Sequence, residues 1–305
     1  MERALLDKTF VILALGALYG CTATAHTDIG QSNAVSPEKW AEQCEPWDDW
    51  DKPAGPYKMH GNTYYVGTCG ISAILVVDEE GLILIDSGTK AGAKVVTQNI
   101  SALGFSLTNV KIILHSHEHH DHVGGFSWIK EMTGARVIAS KEAAKVLRSG
   151  IASAQDPQSG MHEAMDPVEV DTVIEISDYV LAGRSVILTA IETPGHTPGA
   201  LSWTWRSCED AICLKFVYAD SLSPISKEGY RFSDHPEYVA AFRKGLSNLA
   251  STECDVLLTP HPSSSDMLKR LRGPQGLFSP GMCKEYAMNI EKRLEARLAK
   301  EKASE

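Results

Sequence analysis

Five of the chain's 11 histidines fall within residues 115–122, with a glutamate and an aspartate among them. In an extended chain, side chains two residues apart point the same way, so His117 and His119 can converge on one point. Asp121 and His122 follow at a turn and can reach a second point nearby. Imidazole and carboxylate groups are ligands suited to zinc. The spacing therefore predicts a metal site with room for two ions.

Two further histidines have the setting of ligands contributed from other loops. His196 lies in the stiff turn Thr-Pro-Gly-His-Thr-Pro-Gly, directly after a predicted strand. His261 lies in a Thr-Pro-His-Pro turn, again directly after an apolar strand. Functional sites are usually assembled on such loops, so we predict that both join the cluster. His115 and His120 are interpreted as bystanders.

A histidine-rich run can also be a solvated loop without chemistry. Here the run lies between the apolar residues 110–114 and the pair Gly124-Gly125, which places it on a loop between a strand and a helix. That position exposes backbone and lets several side chains converge. The pattern therefore favours a metal site.

The elements around these loops mix strand-like and helix-like patterns. Short apolar runs bounded by turn residues predict strands at residues 61–66, 71–77, 82–85, 110–114, 136–139, 185–191, 200–205, 214–218 and 255–258. Apolar residues at helical spacing predict helices at residues 91–103, 126–132, 141–147, 236–249 and 284–299. A polar, irregular lead-in is expected from residue 28 to about 55. Mixed strands and helices in both halves indicate a layered α/β architecture.

Length and charge limit the class of protein. The chain has 305 residues, a net charge of −10 and 43% hydrophobic content, which is enough apolar material for one large domain or two small ones. No Lys/Arg block provides an electrostatic footprint for nucleic acid, so no such partner is expected. We predict a single domain over residues 26–305.

The N-terminus has the pattern of an export signal. Basic residues precede an apolar run at residues 9–20, which is too short to span a bilayer permanently. An Ala-Thr-Ala site would release residues 1–25 as a signal peptide. Alternatively, a Leu-Tyr-Gly-Cys sequence resembles a bacterial lipobox, after which Cys21 would carry a lipid. Both routes predict a periplasmic protein.

Six cysteines remain once Cys21 is removed or lipidated, at positions 44, 69, 208, 213, 254 and 283. An even number in an exported chain predicts three disulfides, although six cysteines allow 15 pairings. Cys208 and Cys213 are close enough to close a hairpin. Buried free thiols are the alternative. None of the six has the C-x-x-C spacing of a structural zinc site.

The order H-x-H-x-D-H, then a Gly-His turn, then a Pro-His turn resembles the metallo-β-lactamase superfamily, from about His60 to the C-terminus. This resemblance implies a four-layer αβ/βα sandwich with the metal ions at one edge. Asp86, in Leu-Ile-Asp-Ser-Gly, matches a family aspartate that supports the metal loop from behind.

Three segments, at residues 64–71, 196–203 and 218–223, are most similar to subclass B3 of the metallo-β-lactamases. The subclass implies two zinc ions per chain. It implies that the first is held by His117, His119 and His196. It implies that the second is held by Asp121, His122 and His261. The other subclasses have a cysteine ligand where this chain has Ser221.

The same resemblance implies how the chain acts on a substrate. A hydroxide between the metals would attack the β-lactam carbonyl of penicillins, cephalosporins or carbapenems, with Asp121 orienting it. Ser221 and Ser223 would receive the substrate carboxylate, and Gln158 is a weaker candidate for the same role. The implied disulfide pairs are Cys44–Cys69, Cys208–Cys213 and Cys254–Cys283. The subclass also suggests a monomer without a protein partner.

Two other functions remain open. Thioester hydrolases and lactonases of the superfamily use an aspartate in this neighbourhood to bridge both metals, and Asp220 can be interpreted that way. A non-catalytic zinc-binding protein of the periplasm is the less favoured alternative. A complete set of ligands for two metals, together with substrate-binding serines, argues against it.

Overall fold

The computed structural model describes residues 33–175, 179–181 and 186–304, with the backbone alone at 179–181. The predicted signal peptide at residues 1–25, with Cys21, lies outside the described residues. Among the helices that are described, none combines the length and the apolar character needed to cross a membrane.

The described residues form twelve strands. Seven of them make the first sheet: β1 (Tyr57–His60), β2 (Thr63–Tyr65), β3 (Ile74–Asp78), β4 (Gly81–Ile85), β5 (Val110–Leu114), β6 (Arg136–Ala139) and β7 (Thr172–Val173). Five make the second sheet: β8 (Tyr179–Leu181), β9 (Ile187–Glu192), β10 (Leu201–Glu209), β11 (Ile212–Tyr218) and β12 (Val256–Leu258). All nine predicted strands are present: two have the predicted bounds, and the others have ends shifted by up to four residues. Strands β1, β7 and β8 were not predicted.

Eight α-helices lie in the described part of the chain. They are α1 (Pro37–Gln43), α2 (Gly92–Ala102), α3 (His120–Val123), α4 (Phe126–Thr133), α5 (Lys141–Ser149), α6 (Pro236–Ala250), α7 (Met267–Leu271) and α8 (Met282–Ala303). Short 3₁₀ turns occur at Leu107–Asn109, Phe232–Asp234 and Pro262–Ser265. The five predicted helices correspond to α2, α4, α5, α6 and α8.

The strand directions gather the functional loops at one edge of each sheet. In the first sheet β1 to β4 pair antiparallel, and β4 to β7 pair parallel. In the second sheet, ordered β12-β11-β10-β9-β8, β12 is parallel to β11, and β10 is antiparallel to both of its neighbours. Strands β9, β11 and β12 therefore run in one direction, so the loops after them leave from the same edge.

Alternation along the strands defines four layers. Ile83 and Ile85 of β4 share a core with Trp203 and Tyr218 of the second sheet, so these residues fill the space between the sheets. Leu82 and Leu84, pointing the other way, pack with apolar residues of α2, α4 and α5. The first sheet thus has helices on one face and the second sheet on the other.

The second sheet is covered in the same way. Val217 of β11 and Leu257 of β12 pack against Phe242 of α6 and Ile290 of α8. The layer order is therefore helix, sheet, sheet, helix. This confirms the mixed α/β sandwich expected from the sequence.

The segment before β1 corrects one prediction. An irregular lead-in is expected over residues 28–55, but α1 lies within it. The side chain of Ser36 caps this helix by accepting a hydrogen bond from the N–H of Lys39 at 3.2 Å, and a proline occupies its first turn. Trp40 is fully buried. The helix has seven residues. This length is too short for apolar residues to repeat at helical spacing, so the sequence pattern did not reveal the helix.

Three disulfides pair the six cysteines as the resemblance implies. Cys44–Cys69 fastens the end of α1 to the loop after β2. Cys208–Cys213 crosses the hairpin between β10 and β11. Cys254–Cys283 joins the approach to β12 to the first turn of α8.

Candidate metal centre

The histidine-rich loop leaves the end of β5 and enters α3. Asp86, the residue after β4, holds this loop from behind. Its Oδ1 accepts a hydrogen bond from the N–H of Ser116 at 2.7 Å, and its Oδ2 accepts hydrogen bonds from the hydroxyls of Ser116 and Tyr218, each at 2.7 Å. Burial raises the pKa of Asp86 to about 7, against the effect of these donors. The carboxyl group therefore fixes the backbone from which the ligand loop departs.

Three histidines from two loops converge at this edge. His117 and His119 come from the loop after β5, and His196 comes from the turn after β9. One ring nitrogen from each lies within 4.8 Å of the others. Burial, followed by the nearby His119, lowers the pKa of His196 to about 3, so this imidazole is neutral at pH 7. A neutral imidazole has the free lone pair that a metal ligand needs.

A second group lies beside the first and shares His117 with it. Potential ligand atoms of His117, Asp121 and His122 also lie within 4.8 Å of one another. Asp121 Oδ2 is 2.9 Å from Nε2 of His122 and 3.4 Å from Nε2 of His261. All six side chains predicted as ligands therefore lie at this edge, and they come from three separate loops.

An acidic group lies behind the ring of His117. Nδ1 of His117 lies 2.8 Å from Oδ1 of Asp220, and both side chains are fully buried. The other carboxylate oxygen of Asp220 accepts a hydrogen bond from the N–H of Leu222 at 2.9 Å. Burial raises the pKa of Asp220 well above its ordinary value. The two carboxylate oxygens of Asp220 thus lie against the ring of His117 and the backbone N–H of Leu222.

The other two histidines of the first group, His119 and His196, also have neighbouring acceptors. Nε2 of His119 lies 2.9 Å from Oδ2 of Asp156. Nδ1 of His196 lies 3.0 Å from the carbonyl oxygen of Ser223 and 3.1 Å from its hydroxyl. Such outer partners fix the ring orientation and tautomer of a metal-binding histidine. No sequence motif marks Asp156, because it lies 37 residues from His119 in a loop without periodic pattern.

The donors suit a metal ion. Nε2 of His117 is buried and has no hydrogen-bond partner within the described chain, although buried polar atoms normally have one. Imidazole nitrogens with one aspartate, and no cysteine, form a donor set that zinc accepts. The part of the chain that is described therefore has a centre that fits metal ions.

Glu118 ties two ligand loops together. Its carboxylate accepts a hydrogen bond from the hydroxyl of Thr197 at 2.6 Å and another from the N–H of Gly199 at 2.9 Å. Gly199 is required for this approach, because a Cβ there would lie 2.8 Å from both carboxylate oxygens. Glu118 lies between two ligand histidines in sequence, and that position was the available signal for its role.

His115 and His120, predicted as bystanders, occupy different settings. His115 is fully buried, and its Nε2 accepts a hydrogen bond from the N–H of Ser140 at 3.1 Å. Burial lowers its pKa to about 4. His120 is partly exposed, and its ring centroid lies 4.4 Å from that of His162. Neither belongs to the two groups of potential ligands.

The three residues proposed to bind a substrate lie beside the histidines. Ser221 is buried, and its hydroxyl has no partner among the described residues. Ser223 contacts His196 through its hydroxyl. Nε2 of Gln158 lies 3.4 Å from Nε2 of His196. Two neighbouring loops therefore direct polar groups to the same histidine.

Two tryptophans form the outer rim of the centre. Trp47 and Trp50 are 70% and 40% exposed, which is unusual for side chains of this size. Their ring centroids lie 6.2 Å and 5.9 Å from that of His261, and Trp50 lies 5.7 Å from His120. The backbone N–H of Trp47 donates to Ser263 Oγ at 2.7 Å, which fixes the rim beside His261.

Two packed sheets with outer helices and a histidine-rich metal centre at one edge define a class of α/β metalloproteins. The Metallo-beta-lactamase superfamily model matches residues 66–265. The chain belongs to this superfamily.

Solved structures of the superfamily resemble the chain over nearly its full length. MIM-2 metallo-beta-lactamase is 53% identical with a TM-score of 0.84, covering 88% of this chain and 99% of that one. MEM-A1, a subclass B3 metallo-beta-lactamase isolated from a soil metagenome library, is 39% identical with a TM-score of 0.80. That match covers 84% of this chain and 100% of MEM-A1. Subclass B3 enzymes are thus structural neighbours.

Curated relatives match a shorter part. Hydroxyacylglutathione hydrolase of Bradyrhizobium sp. (strain BTAi1) is 26% identical over 135 residues, which are 42% of this chain and 44% of that protein. The chain spans about half the length of the first curated relatives it matches.

Proposed function

We propose that this protein hydrolyses the amide bond of β-lactam antibiotics with two zinc ions and thereby confers resistance. The observation that carries the proposal is the cluster of His117, His119, His196, Asp121 and His122, with His261 beside it, in a chain that is 53% identical to a metallo-β-lactamase over 88% of this chain and 99% of that one. Penicillins, cephalosporins and carbapenems are the expected substrates.

The ligand assignment is the one that the resemblance implies. His117, His119 and His196 would hold one zinc ion. Asp121, His122 and His261 would hold the other; in the structure Asp121 and His122 group with His117, and His261 lies 3.4 Å from Asp121. When bound, such ions polarise a carbonyl oxygen and lower the pKa of a water from 15.7 to about 7, so that a nucleophile is available at neutral pH.

The protein's own groups orient the reaction. Asp121 accepts a hydrogen bond from the attacking water. Burial raises the pKa of this carboxyl group, but His122 and His261 hold the pKa well below its ordinary value, so the group is ionised. The water oxygen joins the carbonyl carbon, the lactam C–N bond breaks, and a proton goes to the nitrogen. No covalent acyl-enzyme is required.

Substrate contacts come from both sides of His196. Ser221 and Ser223 donate hydroxyl hydrogen bonds to the substrate carboxylate, and Gln158 supplies an amide from the facing loop. Trp47 and Trp50 offer an apolar surface to the substrate's side chain. A mostly apolar rim with a few polar groups is the usual composition of a small-molecule site.

A thioester hydrolase is the second candidate, because hydroxyacylglutathione hydrolases are among the relatives. That alternative needs Asp220 to bridge the metals. Asp220 instead contacts His117 Nδ1 and the N–H of Leu222, so both oxygens face the protein's own groups. This geometry favours a supporting role for Asp220.

A hydrolysis panel tests the proposal. Purified protein is assayed with a penicillin, a cephalosporin and a carbapenem, with and without a chelator, and zinc is then added back. β-Lactam turnover that the chelator abolishes and zinc restores supports the proposal. Cleavage of a thioester or lactone without β-lactam turnover would replace it with the second candidate, and zinc binding without any hydrolysis would indicate a non-catalytic protein.

Export and assembly are parts of the same proposal. The three disulfides suit an oxidising compartment, which agrees with a periplasmic location. We propose that the mature chain is one catalytic domain, acts as a monomer, and is either soluble or anchored through Cys21. Fractionation of cells that express the full chain, with lipid labelling at Cys21, distinguishes the two forms.

A further inference from the structure

One loop connects the metal centre to the region where substrate is expected. Residues 150–166, here called the flanking loop, begin where α5 ends. Gly150 starts the loop with φ at 71°, and its carbonyl oxygen accepts a hydrogen bond from the N–H of Met165 at 2.8 Å. The two ends of the loop are therefore pinned together. Its middle is pinned once more, by a hydrogen bond from the N–H of Lys227 to the carbonyl oxygen of Pro157 at 2.9 Å.

Asp156 is the side chain through which this loop reaches a ligand histidine. It is 3% exposed. Its Oδ2 lies 2.9 Å from Nε2 of His119, and its Oδ1 accepts a hydrogen bond from the backbone N–H of Gln158 at 2.8 Å. One carboxylate therefore serves a metal ligand with one oxygen and the backbone of a proposed substrate-binding residue with the other.

We propose that Asp156 is a positioning residue that couples metal binding to the conformation of the flanking loop. By accepting a hydrogen bond at Nε2 of His119, it keeps the ring proton there and leaves Nδ1 as the free nitrogen for a metal. By accepting the N–H of Gln158, it sets the direction in which that amide leaves the loop.

The coupling follows from burial. If the flanking loop moved away, Oδ2 would leave His119 without its acceptor, and the buried ring could rotate or change tautomer. If His119 turned, Asp156 would lose its donor while still buried, which is costly for a carboxylate. Each half of the arrangement therefore stabilises the other. The substrate part of this inference, through Gln158, rests on the proposed β-lactam hydrolysis, whereas the metal part rests only on His119 as a proposed zinc ligand.

Two variants separate the two roles. In Asp156→Asn one oxygen remains to accept the N–H of Gln158, but the amide NH₂ cannot accept a hydrogen bond from His119. In Asp156→Ala both acceptors are lost. The matched control is Asp166→Asn on the same loop, because Asp166 is half-exposed and pairs with Lys90 at the surface.

Metal affinity is measured by competition with a chromophoric zinc chelator, and loop protection by amide hydrogen exchange with and without zinc. Both Asp156 variants are expected to bind zinc about 10- to 100-fold more weakly than wild type, because substitution of a residue that supports a metal ligand commonly weakens metal binding by this amount. In wild type and Asp166→Asn, zinc should slow exchange in residues 150–166. This zinc-dependent protection should be lost in Asp156→Ala and partly kept in Asp156→Asn.

The result that overturns the proposal is equally definite. Zinc affinity equal to that of Asp166→Asn in both Asp156 variants, or unchanged loop protection in Asp156→Ala, would show that Asp156 couples nothing. Neither measurement uses a β-lactam, so a failed β-lactamase assay leaves this test intact. If Asp156→Ala unfolds, the isosteric Asn variant decides the metal part by itself, because weakened zinc binding without loss of far-UV circular dichroism is expected there.

Discussion

At the scale of single residues, three acidic side chains outside the two groups of potential ligands surround the candidate metal centre. Asp220, Asp156 and Glu118 contact the back of a ligand ring or join two ligand loops. All three side chains are buried. Substitution of such a residue should therefore change metal affinity before it changes the fold.

Glu118→Gln gives the first prediction. The variant can keep one of the two hydrogen bonds to Thr197 and Gly199, but its NH₂ group faces the other donor. Zinc affinity should fall about tenfold, because the His196 turn is less firmly held to the His117 loop. Competition with a chelator measures the change. Thr197→Val should have a similar effect, and affinity equal to that of the control Glu163→Gln would contradict the prediction.

The substitution Tyr218→Phe gives the second prediction. The hydroxyl of Tyr218 donates to Asp86 Oδ2 at 2.7 Å inside the protein, so its loss leaves a buried carboxyl group short of a donor. The free energy of unfolding should decrease by about 1–3 kcal/mol. Urea denaturation measures this difference. Tyr230→Phe is the control, since its hydroxyl makes no hydrogen bond in the described part of the chain, and an equal loss in the control would remove the explanation.

At the scale of elements, strand ends and cross-links determine where the loops lie. The ligand loops after β5, β9 and β12 meet because the strands carrying them end at one edge. The disulfides act elsewhere: two close segments of 25 and 29 residues, and one closes a hairpin of five. The two disulfides that close the longer segments should therefore contribute more to the free energy of unfolding than the hairpin disulfide does.

Removal of the disulfides tests this difference. On the chain-entropy argument, replacing Cys254 and Cys283 by alanine should cost about 3.5 kcal/mol, whereas replacing Cys208 and Cys213 should cost about 2 kcal/mol. Urea denaturation of both double variants, each loaded with metal, measures their free energies of unfolding. A hairpin variant less stable than the Cys254/Cys283 variant would show that packing, not loop closure, dominates.

At the scale of the whole molecule, the metal centre joins the two halves of the fold. His117 and Asp121 belong to the first sheet's loops, and His196 and His261 belong to the second's. A metal bound between these loops would stabilise the native state alone, because the three loops that carry the six predicted ligands come together only on folding.

Metal removal therefore lowers thermal stability. The melting temperature should fall when a chelator is added and should rise again with zinc. With free zinc at 1,000 times the dissociation constant, binding contributes about 4.1 kcal/mol. Differential scanning calorimetry across a zinc titration measures the change. A melting temperature independent of zinc would mean that the donors do not hold a metal in the native state.

The amino-acid sequence by itself determined which residues can act as ligands. His117, His119, Asp121 and His122 lie within six residues, and the turns around His196 and His261 follow apolar strands, so local spacing was sufficient to single them out. Long elements such as α2 and α6 were also predictable, because their apolar residues repeat at helical spacing.

Only the tertiary structure decided which side chains support those ligands. Asp156 reaches His119 across 37 residues, and Glu118 reaches Thr197 across 79. Oδ1 of Asp220, which local sequence allows as a metal bridge, lies 2.8 Å from Nδ1 of His117, across 103 residues of sequence. Such contacts depend on how two sheets pack and on where their loops then lie. Packing joins residues far apart in the chain, and no local period or motif encodes that distance.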